Sequence, residues 1–135
     1  MNKSESDIFL EFHSSYSMLE MLREGVSCEL LLSTADLIGI SPQELCTLLK
    51  VPWVTIRHLG KDQKLPLRVG NHLLQIIFVV KRATAVLGSF DSAVKWLKAP
   101  ILAIGYDTPI SLMNTCTGIH VVLDTLGRIE QGVHS

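Results

Sequence analysis

The side chains with the clearest chemistry lie in the middle of the chain, between residues 50 and 98. This stretch carries nine basic and two acidic side chains, a net charge of +7, whereas residues 1–49 carry −6 and residues 99–135 carry −2. The overall net charge of −1 therefore hides a basic middle between acidic flanks. Because lysine and arginine neutralise phosphates, such a local excess indicates a nucleic-acid-binding face. The alternative is an ordinary solvated surface.

Polar side chains near the start of this stretch are suited to reading DNA. A threonine can contact a thymine methyl group or a phosphate, an arginine can bind guanine or a phosphate, and a histidine can do either. The flanking cations suit the phosphate backbone. The predicted DNA-binding residues are Lys50, Thr55, Arg57, His58, Lys61, Lys64 and Arg68. Lys81 and Arg82 lie farther along another predicted helix and are interpreted as solvated or partner-facing.

Two short predicted helices would position these side chains. Ser41-Pro42-Gln43-Glu44 has the pattern of a capping box, with proline at the first helical position. Lys50-Val51-Pro52 breaks that helix, and a second runs from Pro52 to Leu59, with a basic extension to Lys64. Helices joined by so short a turn are typical of a helix-turn-helix, whose second helix enters the major groove. Such proteins usually bind DNA as symmetric dimers, so we expect a homodimer.

The second helix has a predicted inner and outer face. Trp53, Ile56 and Leu59 share a side that can pack on the preceding helix, which leaves Val54, Thr55, Arg57 and His58 outward. Elsewhere the spacing predicts helices over 15–22, 27–37, 67–87, 92–98 and a last segment over 118–132. Asp91 is expected to cap the helix before Pro100, and Asp107 or Thr108 the next one. The pattern lacks period-two strands and predicts an all-α fold of about eight helices.

In the C-terminal third, short stretches with helical periodicity alternate with prolines and glycines that end or cap helices. Its order is W-L-x-x-P at Trp96, then G-x-x-T-P-x-x-L-x-x-T-x-x-G ending at Gly118, then L-x-R-I-E-x-G ending at Gly132. This order resembles the C-terminal region of the Xre/MbcA/ParS antitoxin family. Three earlier stretches resemble other parts of the same family: MLREGVSCELL, IGISPQELCTLLKVPWVTIRHL and ATAVLGSFDSAVKWL.

The resemblance implies a compact helical bundle in three parts: a dimerisation segment at 1–37, an Xre-like helix-turn-helix at 38–88 and a toxin-binding region at 89–135. It further implies an antitoxin of a type II toxin–antitoxin system. Such a protein blocks the active site of a RES-domain, NAD-consuming toxin and binds operator DNA to repress its own operon. It holds no catalytic residues. A departure is HLGKDQKL, with acidic Asp62, where many relatives have an arginine-rich tail.

The expected toxin contacts lie at the end of the last helix. Ile119, Val122, Leu126 and Ile129 form one apolar stripe, which either completes the domain's own core or packs partly on a toxin. Arg128 and Glu130 are suited to charge-assisted contacts across such an interface. The predicted toxin-binding residues are Leu126, Arg128, Ile129, Glu130, Gln131, Gly132, Val133, His134 and Ser135.

Other functional classes find little support in the residues. Glycine patterns for nucleotides, serine-hydrolase elbows and zinc-protease motifs are missing from the sequence, so we expect no enzyme and no cofactor. Three widely spaced cysteines predict reduced thiols rather than a disulfide or metal site. The polar N-terminus and the short apolar run Leu73–Val80 favour a cytoplasmic protein without a membrane span. The remaining rival is a stand-alone dimeric helix-turn-helix repressor.

Overall fold

The computed structural model of the chain describes residues 15–132. Within this range the chain forms eight α-helices and one short 3-10 helix, and its only β-type pairing is an isolated bridge between Ser27 and Lys64. The predicted all-α class is confirmed. The chain divides into two compact units, an N-terminal unit ending at Leu74 and a C-terminal unit beginning at Gln75. This boundary falls inside the longest helix.

The N-terminal unit is built from four helices and the start of a fifth. They are α1 (Ser15–Glu24), α2 (Cys28–Ile38), α3 (Pro42–Leu49), α4 (Trp53–Arg57) and α5 (Leu67–Leu87). Left-handed glycines end two of them: Gly25, at φ 95°, follows α1 and Gly39, at φ 80°, ends α2. A glycine without a Cβ adopts this backbone at little cost, as the sequence pattern predicted.

The C-terminal unit contains the rest of α5 and the remaining helices. These are α6 (Phe90–Leu97), a 3-10 helix (Leu102–Ile104), α7 (Pro109–Leu112) and α8 (Cys116–Glu130). The apolar run Leu73–Val80 lies within α5, and six of its eight side chains are buried in the protein. That burial explains its composition.

Two predicted helix caps are wrong in position. Asp91 does not cap α6, because Ser89 precedes the helix and its hydroxyl accepts the Ser92 backbone N–H at 3.1 Å. The last helix does not begin at Gly118 but at Cys116, with Thr115 Oγ1 accepting the Gly118 N–H at 2.9 Å. In both places a hydroxyl residue two or three positions earlier supplies the cap. The proposed cap Thr108 is confirmed for α7.

Gly118 has a packing role that its position in the first turn of α8 explains. A Cβ at this position would overlap the backbone carbonyl of Leu112, the last residue of α7. Glycine therefore allows the end of α7 and the start of α8 to approach closely. The residue fixes the junction between these helices rather than preceding the last one.

No single helix within residues 15–132 passes the test of length and apolar composition for crossing a membrane. The pair α5 and α6, bent by 116° at their junction, passes that test when the two are taken together.

Candidate functional sites

Helix α4 presents the polar side chains that the sequence assigned to DNA. Thr55, Arg57 and His58 are exposed, and Ile56 between them is buried. The predicted inner and outer faces are therefore present. The helix itself is shorter than expected, since it ends at Arg57 with His58 as its C-cap.

The preceding helix is fixed at both ends by local hydrogen bonds. At its start, Ser41 Oγ accepts the Glu44 N–H and Glu44 Oε1 accepts the Ser41 N–H, both at 3.1 Å. This is the predicted capping box. At its end, Lys50 adopts a left-handed backbone at φ 56° and Val51 N–H returns to the carbonyl of Cys46 at 3.0 Å. The closure sets the direction in which the chain enters α4.

Arg68 was predicted to contact phosphates, but its guanidinium binds the turn between α3 and α4. Nη1 donates to the carbonyl of Leu49 and Nη2 to the carbonyl of Lys50, each at 2.9 Å. These carbonyls lie at the end of α3, where helical partners run out. A charged donor on both of them secures the turn from the first residues of α5. Sequence spacing gave no sign of this contact, because the partners are 18 and 19 positions apart.

The predicted basic extension that follows α4 as far as Lys64 is not helical. Residues 61–65 instead run beside the start of α2, where the carbonyl of Lys61 accepts the Glu29 N–H at 3.0 Å and that of Gln63 the Cys28 N–H at 2.8 Å. These bonds satisfy amides that a helix start leaves unpaired. The stem of Lys64 lies over Gly25. Both lysines remain exposed, as does Lys50.

The apolar stripe of α8 is mostly part of the protein core. Ile119, Val122 and Leu126 are buried, whereas Ile129 is 41% exposed. The prediction that Leu126 contacts a toxin is corrected by the structure. Its side chain is fully buried and has no accessible surface for such a contact. The alternative in which the stripe completes the domain's own core accounts for all but Ile129.

The charged end of α8 is held within the chain. Both guanidinium nitrogens of Arg82 donate to the two carboxylate oxygens of Glu130, one of them from Nη1 to Oε2 at 2.9 Å. The hydrogen bond to Arg82 lowers the pKa of Glu130, and the same bond raises the pKa of Arg82. Arg82, interpreted from the sequence as solvated or partner-facing, is thus an intramolecular partner of a predicted toxin contact.

The remaining predicted toxin contacts are exposed or lie beyond the described range. Arg128 is exposed and its Nη2 donates to Thr125 Oγ1 at 3.3 Å, while Gln131 and Gly132 form the turn after α8. Val133, His134 and Ser135 lie outside the described residues.

Within residues 15–132, no group of three or more histidine, cysteine or acidic side chains is placed to hold a metal ion. Burial raises the pKa of the Cys28 and Cys46 thiols, which keeps them protonated.

Residues 82–132, from the arginine of this ion pair to the turn after α8, match the C-terminal toxin-binding domain of the Xre/MbcA/ParS antitoxins. In this range the chain is similar to an Xre/MbcA/ParS-type antitoxin. The matched range contains α6, α7 and α8 and most of the predicted toxin contacts.

Two curated relatives carry the name antitoxin Xre. The one from Photorhabdus laumondii subsp. laumondii is 44% identical over 48 residues, which are 36% of this chain and 32% of that protein. The one from Yersinia enterocolitica is 25% identical over 120 residues, 87% of this chain and 81% of that protein. The chain thus aligns with about a third of the first relative, and with most of the second at lower identity.

Proposed function

We propose that this chain is an antitoxin that neutralises a RES-domain, NAD-consuming toxin by blocking its active site, and that it binds operator DNA to repress its own operon. The observation that carries the proposal is the match of residues 82–132 to a toxin-binding domain. The choice of a RES-type toxin rests on the resemblance of the motifs along the chain. The antitoxin itself contributes no catalytic residue.

The toxin-binding role belongs to residues 89–135 in this proposal. Arg128, Ile129, Gln131 and Gly132 are exposed together at the end of α8. Gly132 directly precedes Val133–Ser135 in the sequence, and these three residues complete the proposed contact. Since Leu126 is buried, we leave it out of the interface. Glu130 takes part through its pairing with Arg82, which steadies the last turn of α8.

The DNA-binding role belongs to residues 38–88. Exposed Thr55 and Arg57 on α4 can reach base edges, and exposed His58 and Lys50 flank them. The capping box of α3 and the hydrogen bonds from Arg68 to the carbonyls at the end of α3 support a fixed orientation of α4. We assign Lys61 and Lys64 to phosphate contacts and Arg68 to the turn.

A homodimer is the third part of the proposal, with residues 1–37 as its interface. Tyr16 and Leu19 are large, exposed apolar side chains of α1. An exposed aromatic and a leucine one turn apart can supply part of a symmetric contact. Two such subunits would present two α4 helices to the half-sites of an operator.

A stand-alone repressor controlled by a small molecule is the second candidate. The N-terminal unit has a cleft of about 170 Å³ lined by residues that include Met21, Glu24, Glu29 and Lys64. Small-molecule sites usually measure ~300–1,000 Å³. The size of this cleft disfavours a regulatory ligand of ordinary dimensions at this position.

The proposal is tested by producing the tagged chain together with the protein encoded by the adjacent reading frame and weighing the purified product by native mass spectrometry. We expect a complex of two proteins, with the antitoxin present in at least two copies. The same complex should slow the migration of DNA from the promoter of its operon in a gel-shift assay. A repressor without a toxin would shift that DNA but purify alone.

A further inference from the structure

The loop between α6 and α7 carries the most exposed large apolar side chains of the described part of the C-terminal unit. Leu102 is 71% exposed and Tyr106 is 67% exposed. By comparison, Ile129 at the end of α8 is 41% exposed. The sequence predicts no binding role for this loop, in which Pro100 and Gly105 indicate turns.

The loop is closed by backbone hydrogen bonds around one residue. The carbonyl of Ile101 accepts the N–H of Ile104 at 3.1 Å and that of Tyr106 at 2.9 Å, and its own N–H donates to the carbonyl of Asp107 at 3.1 Å. These bonds join the two ends of a seven-residue loop. Leu102 and Tyr106 are therefore held on a defined backbone rather than on a loose connection.

Tyr106 occupies a backbone conformation that its side chain disfavours. Its φ is 66°, directly after Gly105 at φ 72°. Glycine adopts this left-handed region freely, whereas any residue with a Cβ pays a free-energy penalty there. Burial does not compensate the penalty, since the ring is largely in solvent. Backbone strain at an exposed aromatic residue indicates that the residue serves binding rather than the stability of the fold.

We infer that Leu102 and Tyr106 anchor the toxin on this loop, as a second contact in addition to the end of α8. The inference rests on the proposed function. Both residues lie inside the range 82–132 that matches a toxin-binding domain, which identifies the partner. Tyrosine provides a rigid, amphipathic contact and is enriched among the residues that dominate binding energy.

The exposed area of Leu102 and Tyr106 is too small to form a whole interface by itself. A specific interface buries ~800 Å² per partner, several times what two side chains supply. The loop therefore works only as part of a larger contact, and the α8 end of the same matched domain offers the rest. Apolar side chains on a preorganised loop lose little conformational entropy when they bind.

The test compares variants that separate binding from folding. Tyr106→Gly relieves the backbone strain and removes the ring, Leu102→Ser removes the second anchor, and Tyr106→Phe keeps the ring. Leu67→Ser, at a residue 69% exposed in the N-terminal unit, is the control. Each tagged full-length variant is produced with the protein of the adjacent reading frame, and the dissociation rate of that captured protein is measured in a timed wash.

We expect Tyr106→Gly and Leu102→Ser to accelerate dissociation at least tenfold, while Tyr106→Phe and Leu67→Ser stay within about twofold of the parent. The melting temperature of free Tyr106→Gly should be unchanged or higher. Unchanged dissociation for both anchor variants overturns the inference and leaves the proposed function standing, since the parent still captures the toxin. If the variants change self-association in sedimentation instead, the loop contacts a second copy and the inference is wrong. If the parent captures nothing, the proposed function and the inference both fail.

Discussion

Arg82 and Glu130 form a bidentate ion pair that joins the C-terminal part of α5 to the last turn of α8, 48 positions later in the chain. Both guanidinium nitrogens face both carboxylate oxygens, which is the geometry in which arginine binds a carboxylate most specifically. The last turn of a helix frays readily unless something holds it. The pair therefore fixes the end of the helix that leads into the predicted toxin contacts.

A charge-exchange series tests whether Glu130 acts within the chain or directly on a toxin. Glu130→Arg alone should weaken toxin capture, because it repels Arg82 and frees the last turn of α8. Adding Arg82→Glu should restore capture, since the exchanged pair can form again. Dissociation rates of the co-produced toxin measure both steps. A double variant as weak as the single one would make Glu130 a direct toxin contact.

The same pair predicts a pH effect on stability. The hydrogen bond to Arg82 lowers the pKa of Glu130 in the folded chain below its ordinary value of 4.5. A lowered folded pKa means that stabilisation is fully present above that ordinary value and is lost as the pH falls through the folded pKa. The difference in melting temperature between the parent and Glu130→Gln should be small, because the pair is exposed, and should shrink below pH 4.5. A difference that grows on acidification would contradict the assignment.

Lys50 provides a stability test of the turn before α4. Its left-handed φ of 56° suits glycine better than lysine. Lys50→Gly should stabilise the chain by roughly 0.5–1 kcal/mol, whereas Lys50→Ala keeps the strain and should change stability little. Urea denaturation measures both. Equal stability of the glycine and alanine variants would mean that the turn is not strained.

Two glycines of α8 give opposite predictions for the same substitution. Gly118→Ala should destabilise the chain by about 3 kcal/mol, because the new methyl group overlaps the carbonyl of Leu112. Gly127→Ala meets no atom within 4 Å and should stabilise the helix by up to ~1 kcal/mol. Thermal unfolding of the two variants provides the comparison. Similar effects of both would contradict the close approach of α7 and α8.

Arg57 and Arg68 make different predictions for DNA binding. Arg57→Ala removes a proposed DNA contact, so promoter binding should weaken and the slope of log affinity against log salt should fall by about one. Arg68→Gln removes hydrogen bonds to the turn, so affinity should fall while the slope stays unchanged. Gel shifts at several salt concentrations distinguish the two. A reduced slope for Arg68→Gln would mean that Arg68 itself contacts a DNA phosphate.

The sequence predicted those features of the fold that depend on near neighbours. Ser41 and Glu44 are three positions apart, and Gly39 follows directly on the helix it ends, so spacing alone identified both. Asp91 misled because Ser89, two positions earlier, also caps helices and lies closer to the observed start. The wrong start for the last helix arose because the sequence pattern placed Gly118 at the beginning of the segment, whereas it lies inside the first turn as a close packing contact.

The candidate sites were predictable only where exposure follows from helical periodicity. The outward face of α4 and the inward stripe of α8 come from spacing, although spacing could not tell that Leu126 faces the core and Ile129 does not. The partners of Arg68 and Arg82 are set by how distant helices pack, which one sequence does not encode locally. The strain at Tyr106 is a property of its backbone and has no sequence signal beyond the preceding glycine.

The most direct test of the central claim is growth of cells that produce the protein of the adjacent reading frame with or without this chain. We predict that this protein alone arrests growth, that the full chain restores it, and that a chain ending at Glu130 folds normally but fails to protect. That truncation keeps α8, the Arg82–Glu130 pair and the proposed contacts Arg128 and Ile129, and it removes Gln131–Ser135. It therefore tests the last five residues of the proposed toxin contact without shortening the helix. Failure of the full chain to restore growth, or full protection by the truncated chain, would contradict the account.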